Sequence, residues 1–238
     1  MMHNSSLVRM EWFVREFLGA EGPGPAHPGR RRVLDVGSYD VNGSYRQFFP
    51  SSRYDYVGLD MAPGPNVDVV PASPYRWKEI GTDTFDVVIS GQVLEHAEFF
   101  WLTVSEMVRV LKKGGIVCII APNGFDEHRY PVDCYRFFAD GMVALARYTG
   151  LEVIHAHTDC QPSSQSQDWH VDGCEDSLLI ARKPYAGDTA LVDVETYRCT
   201  PADLAALRRP LVVYERPAAT GLVGRAYRKL GRVLGIQH

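Results

Sequence analysis

From residue 32 onward, short apolar runs alternate with stretches of helical spacing, and this alternation restricts the fold more than any other feature of the chain. Arg32–Val36, Tyr54–Leu59, Val67–Val70, Phe85–Ser90 and Ile116–Ala121 read as strands, each short and nearly continuously apolar, as strands covered on both faces require. Between them, Ser44–Phe49 and Glu98–Leu111 have helical spacing, and Lys112-Lys113-Gly114-Gly115 is expected to stop the second. Further along, Asp140–Tyr148 reads as a helix, while Leu151–His157 and Ser177–Arg182 read as strands. Such alternation predicts an α/β fold with one doubly wound, mostly parallel sheet and right-handed crossovers.

Both ends of the chain differ from this middle. Residues 5–18 place Leu7, Met10, Phe13, Val14, Phe17 and Leu18 on one face, which predicts an amphipathic helix, and Gly19–Gly29 reads as a Gly- and Pro-rich linker. Past Lys183 the periodic signals weaken until Gly221–Leu234, where Leu222, Val223, Ala226, Tyr227, Leu230, Val233 and Leu234 oppose Arg225, Arg228, Lys229 and Arg232. A basic amphipathic helix of this kind docks on its own domain or a second subunit, or lies on a membrane surface or partner. The expected organisation is an N-terminal helix and linker (1–30), an α/β domain (31–184) and a C-terminal extension (185–238).

Composition narrows the function classes. With 238 residues and 45% hydrophobic residues, the chain can bury a full-sized core. A net charge of −4 gives no basic footprint for DNA. No apolar run approaches the ~20 residues that cross a bilayer, and the N-terminus lacks a secretory pattern, so a cytoplasmic protein is expected. Five cysteines, Cys118, Cys134, Cys160, Cys174 and Cys199, share no C-x-x-C spacing, which reads as reduced thiols and not a zinc site.

Ligands of an open parallel sheet bind beyond the carboxyl ends of its strands. After the first strand come Asp35, Gly37 and Ser38, with the glycine leaving room for a ligand close to the backbone. The second ends in Asp60-Met61, a carboxylate suited to paired ribose hydroxyls beside a soft surface for adenine. The first loop lacks the G-x-G-x-x-G that admits a pyrophosphate, so a nucleoside ligand without phosphate fits better.

The stretch from Phe85 through Ser90-Gly91-Gln92-Val93-Leu94-Glu95-His96 to Glu106-Met107-Val108-Arg109-Val110-Leu111-Lys112-Lys113-Gly114-Gly115 closely resembles the class I S-adenosylmethionine-dependent methyltransferases. Within them it is similar to the type 11 branch with an L-E-H motif, and the resemblance runs from about Arg32 to Arg182. It implies a Rossmann-like seven-stranded sheet with an antiparallel hairpin at one edge. It also implies S-adenosyl-L-methionine as cofactor and S-adenosyl-L-homocysteine as product. By that analogy Asp35, Gly37 and Ser38 border the amino-acid part of the cofactor, Asp60 binds the ribose with Met61 at the adenine, and Ser90, Gly91 and Gln92 line the path to the methyl group. The first loop has fewer glycines than the family's, and no acid follows the third expected strand at Pro71-Ala72-Ser73.

At the acceptor end, Asn123–Arg136 is dense in ionisable and aromatic residues, as a functional loop would be. His128 is the first candidate catalytic base, with metal ligation, substrate hydrogen bonding and a structural role as alternatives; His96 is the second. Asp133 serves either catalysis or an ion pair with Arg136 that fixes the loop. Gln92 and Glu95-His96 resemble the E-x-x-E-H metal motif of small-RNA 2′-O-methyltransferases and ubiquinone-pathway O-methyltransferases, with Gln for the first glutamate; a divalent metal is possible if His128 or Asp133 completes the set, and no metal site is assigned. His155 and His157 alternate on one strand and are expected to be surface residues more than a chelate, and Asp168-Trp169-His170 is expected in a loop over the acceptor pocket. The expected function is methyl transfer to a hydroxyl oxygen of a small molecule or sugar, with a homo-oligomer possible through the C-terminal helix. The alternatives are ribose methylation of RNA and a catalytically silent methyltransferase fold that acts in binding or assembly.

Overall fold

A computed structural model describes residues 4–19, 29–41, 43–158 and 176–186. The expected helix over Gly221–Leu234, the loop with Asp168 and His170, and Cys160, Cys174 and Cys199 lie outside the described residues; Cys118 and Cys134 are free thiols. Three α-helices, α1 (Asn4–Phe17), α2 (Phe100–Val110) and α3 (Ala139–Tyr148), accompany six strands. These are β1 (Arg31–Val36), β2 (Tyr54–Leu59), β3 (Phe85–Gly91), β4 (Leu111–Pro122), β5 (Glu152–Thr158) and β6 (Asp176–Arg182). The sheet order is β2-β1-β3-β4-β6-β5. The first four strands are parallel, and β6 runs antiparallel to both β4 and β5, so the edge hairpin is present.

Strand alternation divides the core into two layers. Along β4, Val117, Ile119 and Ala121 pack with Val104, Met107 and Val108 of α2 and Met142, Leu145 and Ala146 of α3. Cys118 and Ile120 face the other way and pack with Met10 and Phe13 of α1. Burying a large apolar side chain contributes about 1.5–3 kcal/mol. The near-continuous apolar runs are thereby explained: each face has its own helix to cover.

Three expectations are corrected. Val67–Val70 is not a strand; Val69 forms one isolated parallel bridge to Leu59, and the sheet has six strands among the described residues. Pro65 and Pro71 bracket the segment, Asn66 takes a positive φ of 68°, and Val70 is exposed, so neither backbone nor burial extends the pairing. Ser44–Phe49 is shorter than expected, a 3-10 turn over Tyr45–Phe48 whose N-cap Ser44 accepts from Arg46 N. Lys112–Gly115 does not follow the helix as a loop. The helix ends at Val110, and these residues lie inside β4, where the register with β3 jumps between Phe85 and Val87. Gly114 adopts φ 78° there while its N–H donates to Lys183 O at 2.8 Å, a backbone conformation that favours glycine.

Candidate active site

A cleft of about 770 Å³ opens where β1, β2 and β3 end. Its floor at one end is the turn after β1. Gly37 lines the cleft with φ 83°, and a Cβ there would lie 2.0 Å from Val93 Cγ2, so only glycine fits. Its N–H and that of Ser38 both donate to Leu59 O, at 2.8 and 3.1 Å, which ties the turn to the end of β2. Asp60 follows β2 and also lines the cleft. Its Oδ2 accepts from Tyr39 N at 3.1 Å and its Oδ1 from Ala62 N at 3.4 Å, so backbone donors aim the carboxylate while it stays half-buried. Met61 beside it is 61% exposed on the rim.

The wall beyond Asp60 consists of Pro71, Pro74, Tyr75 and Trp77. Helix α2 holds it in place: Glu106 accepts from Trp77 N at 2.7 Å, and Arg109 donates to Trp77 O at 2.9 Å and Ile80 O at 3.0 Å. Glu106 and Arg109 pair with each other at 2.7 Å, which fixes the carboxylate and guanidinium that clamp the wall.

The opposite end is built by the turn after β3 and the loop after β4. Gly91 and Gln92 close β3 and line the cleft. Gln92 Nε2 donates to Asp176 at 2.7 Å and to Ser6 Oγ at 3.5 Å, while its Oε1 is buried without a hydrogen bond. Leu94–His96 forms a 3-10 turn. Glu95 is fully buried, neither carboxylate oxygen has a hydrogen-bond partner, and burial pushes its carboxyl up to about 8. His96 lines the cleft; its Nδ1 lies 2.6 Å from Val132 O, and burial lowers its imidazole below the ordinary value.

His128 stands edge-to-face with His96, the ring centroids 5.0 Å apart, and its Nδ1 lies 2.9 Å from Asp126 O. Asp133 accepts from His128 N at 2.8 Å and from the two ends of the Arg136 guanidinium at 2.5 and 2.8 Å. This pairing holds the Asp133 carboxyl well below the usual carboxylate range. Arg136 also donates to the carbonyls of Phe125 and Asp126, so the ion pair anticipated from sequence shapes the loop from within. Arg129, Tyr130, Pro131 and Val132 of that loop face the cleft.

A family model described as a methyltransferase domain matches residues 34–119. Over that stretch the chain is similar to a methyltransferase domain, in line with the resemblance carried by its L-E-H motif. Solved structures with the same fold include the [4+2]-cyclase SpnF, at TM-score 0.56 and 15% identity, covering 76% of this chain and 82% of that one. Another is the Burkholderia thailandensis 1,6-didemethyltoxoflavin-N1-methyltransferase with bound 1,6-didemethyltoxoflavin and S-adenosylhomocysteine, at TM-score 0.54 and 15% identity, covering 75% and 78%. A SAM-dependent methyltransferase from Archaeoglobus fulgidus matches at TM-score 0.54 and 15% identity, covering 74% and 92%. No curated protein matches the sequence.

Within this fold, the residues named from sequence fall into three groups, and His128 and Asp133 form the one that lies next to His96 without lining the cleft. Gly37, Asp60, Met61, Gly91, Gln92 and His96 line the cleft. Asp35, Ser38 and Ser90 are buried in its support. Asp35 accepts from the Tyr56 hydroxyl, and burial pushes its carboxyl up to about 7. Ser38 Oγ donates to Asn66 O at 3.1 Å, and Ser90 Oγ donates to Val36 O at 3.0 Å. His155 and His157 lie away from this cleft on β5. Their ring centroids are 6.1 Å apart, and His155 packs on Trp12 of α1. The residues that sequence reasoning missed are the Tyr75 and Trp77 wall and Asp176. Aromatic residues between prolines were the available signal for the wall; the Asp176–Gln92 bond had none, because it joins the start of β6 to the end of β3.

Proposed function

We propose that the chain transfers a methyl group from S-adenosylmethionine to a hydroxyl oxygen of a small molecule or sugar. The observation that carries this reading is the placement of Asp60 and Gly37. A carboxylate aimed by backbone donors faces the cleft beside Gly37, where the wall is bare backbone. The cleft volume lies within the range of cofactor sites. Ribose hydroxyls would donate to Asp60, adenine would lie toward Met61 and the Tyr75 wall, and the amino-acid part would run past Gly37.

Bound S-adenosylmethionine supplies a methyl group on a sulfonium that leaves as a neutral thioether. An acceptor oxygen forms the new C–O bond as the C–S bond breaks, and the hydroxyl proton passes to an imidazole nitrogen of the His96 and His128 pair. Tyr130, Pro131 and Val132 would cover the acceptor and exclude water. Asp133 acts as a positioning residue, since its oxygens are committed to Arg136 and His128 N. A net charge of −4 favours a small acceptor over RNA.

Calorimetry with S-adenosylhomocysteine tests the cofactor reading directly. Saturable binding that weakens at least tenfold in Asp60→Ala, with the fold intact by circular dichroism, is the expected result. Absence of binding to the wild-type chain would overturn the proposal and leave a fold put to another use, a real option because one chain with this fold is named for a cyclase. A screen of hydroxyl-bearing acceptors by mass spectrometry then tests the oxygen; modification at nitrogen or carbon alone would overturn that part.

A further inference from the structure

The loop after β4 carries two arginines, and the structure uses them in opposite ways. Arg136 is committed to the loop itself: its terminal nitrogens donate to Asp133 and to the carbonyls of Phe125, Asp126 and Tyr135. Arg129 lines the cleft and is bonded through Nε alone, to Glu127 Oε1 at 2.7 Å. Its two terminal nitrogens have no hydrogen-bond partner among the described residues. Both members of the Arg129–Glu127 pair are exposed, and an ion pair in such a setting adds little to stability. Its effect is on direction: Glu127 holds one edge of the guanidinium and leaves the other donors on display.

The segment that displays Arg129 is fixed from several sides. Asp133 accepts from His128 N, Cys134 N donates to Glu95 O at 2.7 Å, and the Tyr135 hydroxyl donates to Glu98 O at 3.0 Å. A cation on a braced loop keeps its place, so less ordering remains to be done when a ligand group meets it. Beside it the exposed Tyr130 lines the same cleft with Pro131 and Val132. No other arginine or lysine lines the cleft among the described residues, and the two carboxylates that do, Asp60 and Glu98, repel anions. In a chain of net charge −4, Arg129 is therefore the place where a negative group in the cleft finds a partner.

We propose that Arg129 recognises a negatively charged group, a carboxylate or a phosphate, on a small methyl acceptor whose apolar part lies along Tyr130, Pro131 and Val132. A guanidinium meets either group with two parallel hydrogen bonds, a match that an ammonium does not offer. A neutral isostere in the same place loses the charge and one of the two bonds. The site thus selects hydroxylated acids and phosphate esters over neutral sugars. The proposal rests on the methyl-transfer reading only in calling that molecule an acceptor.

The test is calorimetric titration of the full-length protein, saturated with S-adenosylhomocysteine, in phosphate-free buffer at neutral pH. The probes are benzoate, phenyl phosphate and benzamide, the neutral isostere of benzoate. At least one of the two anions should bind at least tenfold more tightly than benzamide, and the stronger of the two tells carboxylate from phosphate. Arg129→Gln should remove that preference and leave S-adenosylhomocysteine affinity within about twofold. No anion binding, equal affinity for the anions and benzamide, or a preference that survives Arg129→Gln overturns the site. So does a tenfold loss of S-adenosylhomocysteine affinity in Arg129→Gln, which would assign the guanidinium to the carboxylate of the nucleoside itself. If S-adenosylhomocysteine does not bind the wild-type chain, the methyl-transfer reading falls, and the same titrations without it still decide the anion site.

Discussion

Two carboxylates, one after β2 and one after β3, mark opposite ends of the cleft, and their surroundings are inverted. Asp60 is half-buried, with one backbone N–H on each oxygen. Glu95 is fully buried, with no donor on either oxygen. A solvated carboxylate held by backbone donors is ready to accept more hydrogen bonds at little cost, which is what a neutral ribose requires. A desolvated and unpartnered one is in balance only when it holds its proton or meets a cation. Asp60 is therefore satisfied as an anion, whereas Glu95 is satisfied by keeping its proton, in line with a carboxyl that burial pushes up to about 8.

A third carboxylate, Asp35, sharpens the contrast through stability, where the largest effect is expected. Its carboxyl is raised from 3.8 to about 7 by burial, so the folded state retains a proton that the unfolded chain releases. The stabilisation is fully present below pH ~4 and is lost as pH rises through about 7, by an upper bound of roughly 4 kcal/mol. Asp35→Asn should flatten the decline of stability between about pH 4 and pH 7 in urea unfolding. An equal decline in the variant would mean that Asp35 ionises in the fold without penalty.

Next in size is catalysis. On the proposed function, in which His128 takes the acceptor proton, His128→Ala should slow methyl transfer at least a hundredfold and leave S-adenosylhomocysteine affinity within about twofold, the signature of a base acting in the transition state. Near-normal turnover would break the distinction between the two ends. Asp60→Ala should do the reverse, with at least tenfold weaker nucleoside binding, in line with ~1.5–3 kcal/mol for a hydrogen bond to a charged group. The smallest effect belongs to Met61→Ala on the exposed rim, a loss of about threefold in S-adenosylhomocysteine affinity by calorimetry, consistent with ~0.3–1.5 kcal/mol for a sulfur–aromatic contact. A tenfold loss there would show that the rim closes over the adenine.

Much of the fold was legible because burial leaves a periodic trace. Phe85–Ser90 and Ile116–Ala121 are apolar on both faces since α1 covers one side and α2 and α3 the other. The failure at Val67–Val70 has the same root. The residues are apolar enough for a strand, but prolines and a left-handed Asn66 stop the pairing after a single bridge. At the site, Gly37 and Asp60 were readable from their place after strands. Asp133 was left between catalysis and an ion pair, and the choice required the Arg136 guanidinium to be seen against it.

By itself the sequence determined most of the order of strands and helices, the absence of a pyrophosphate loop and the likeness to a methyltransferase domain, all of which are written in local spacing and in contiguous motifs. Only the tertiary structure decided that Gln92 turns to Asp176 and that His128 meets Glu95 and His96. It also set each imidazole Nδ1 against a backbone carbonyl, Val132 for His96 and Asp126 for His128. These facts depend on contacts between distant segments and on which carbonyl each ring nitrogen finds, and neither leaves a mark in local residue order.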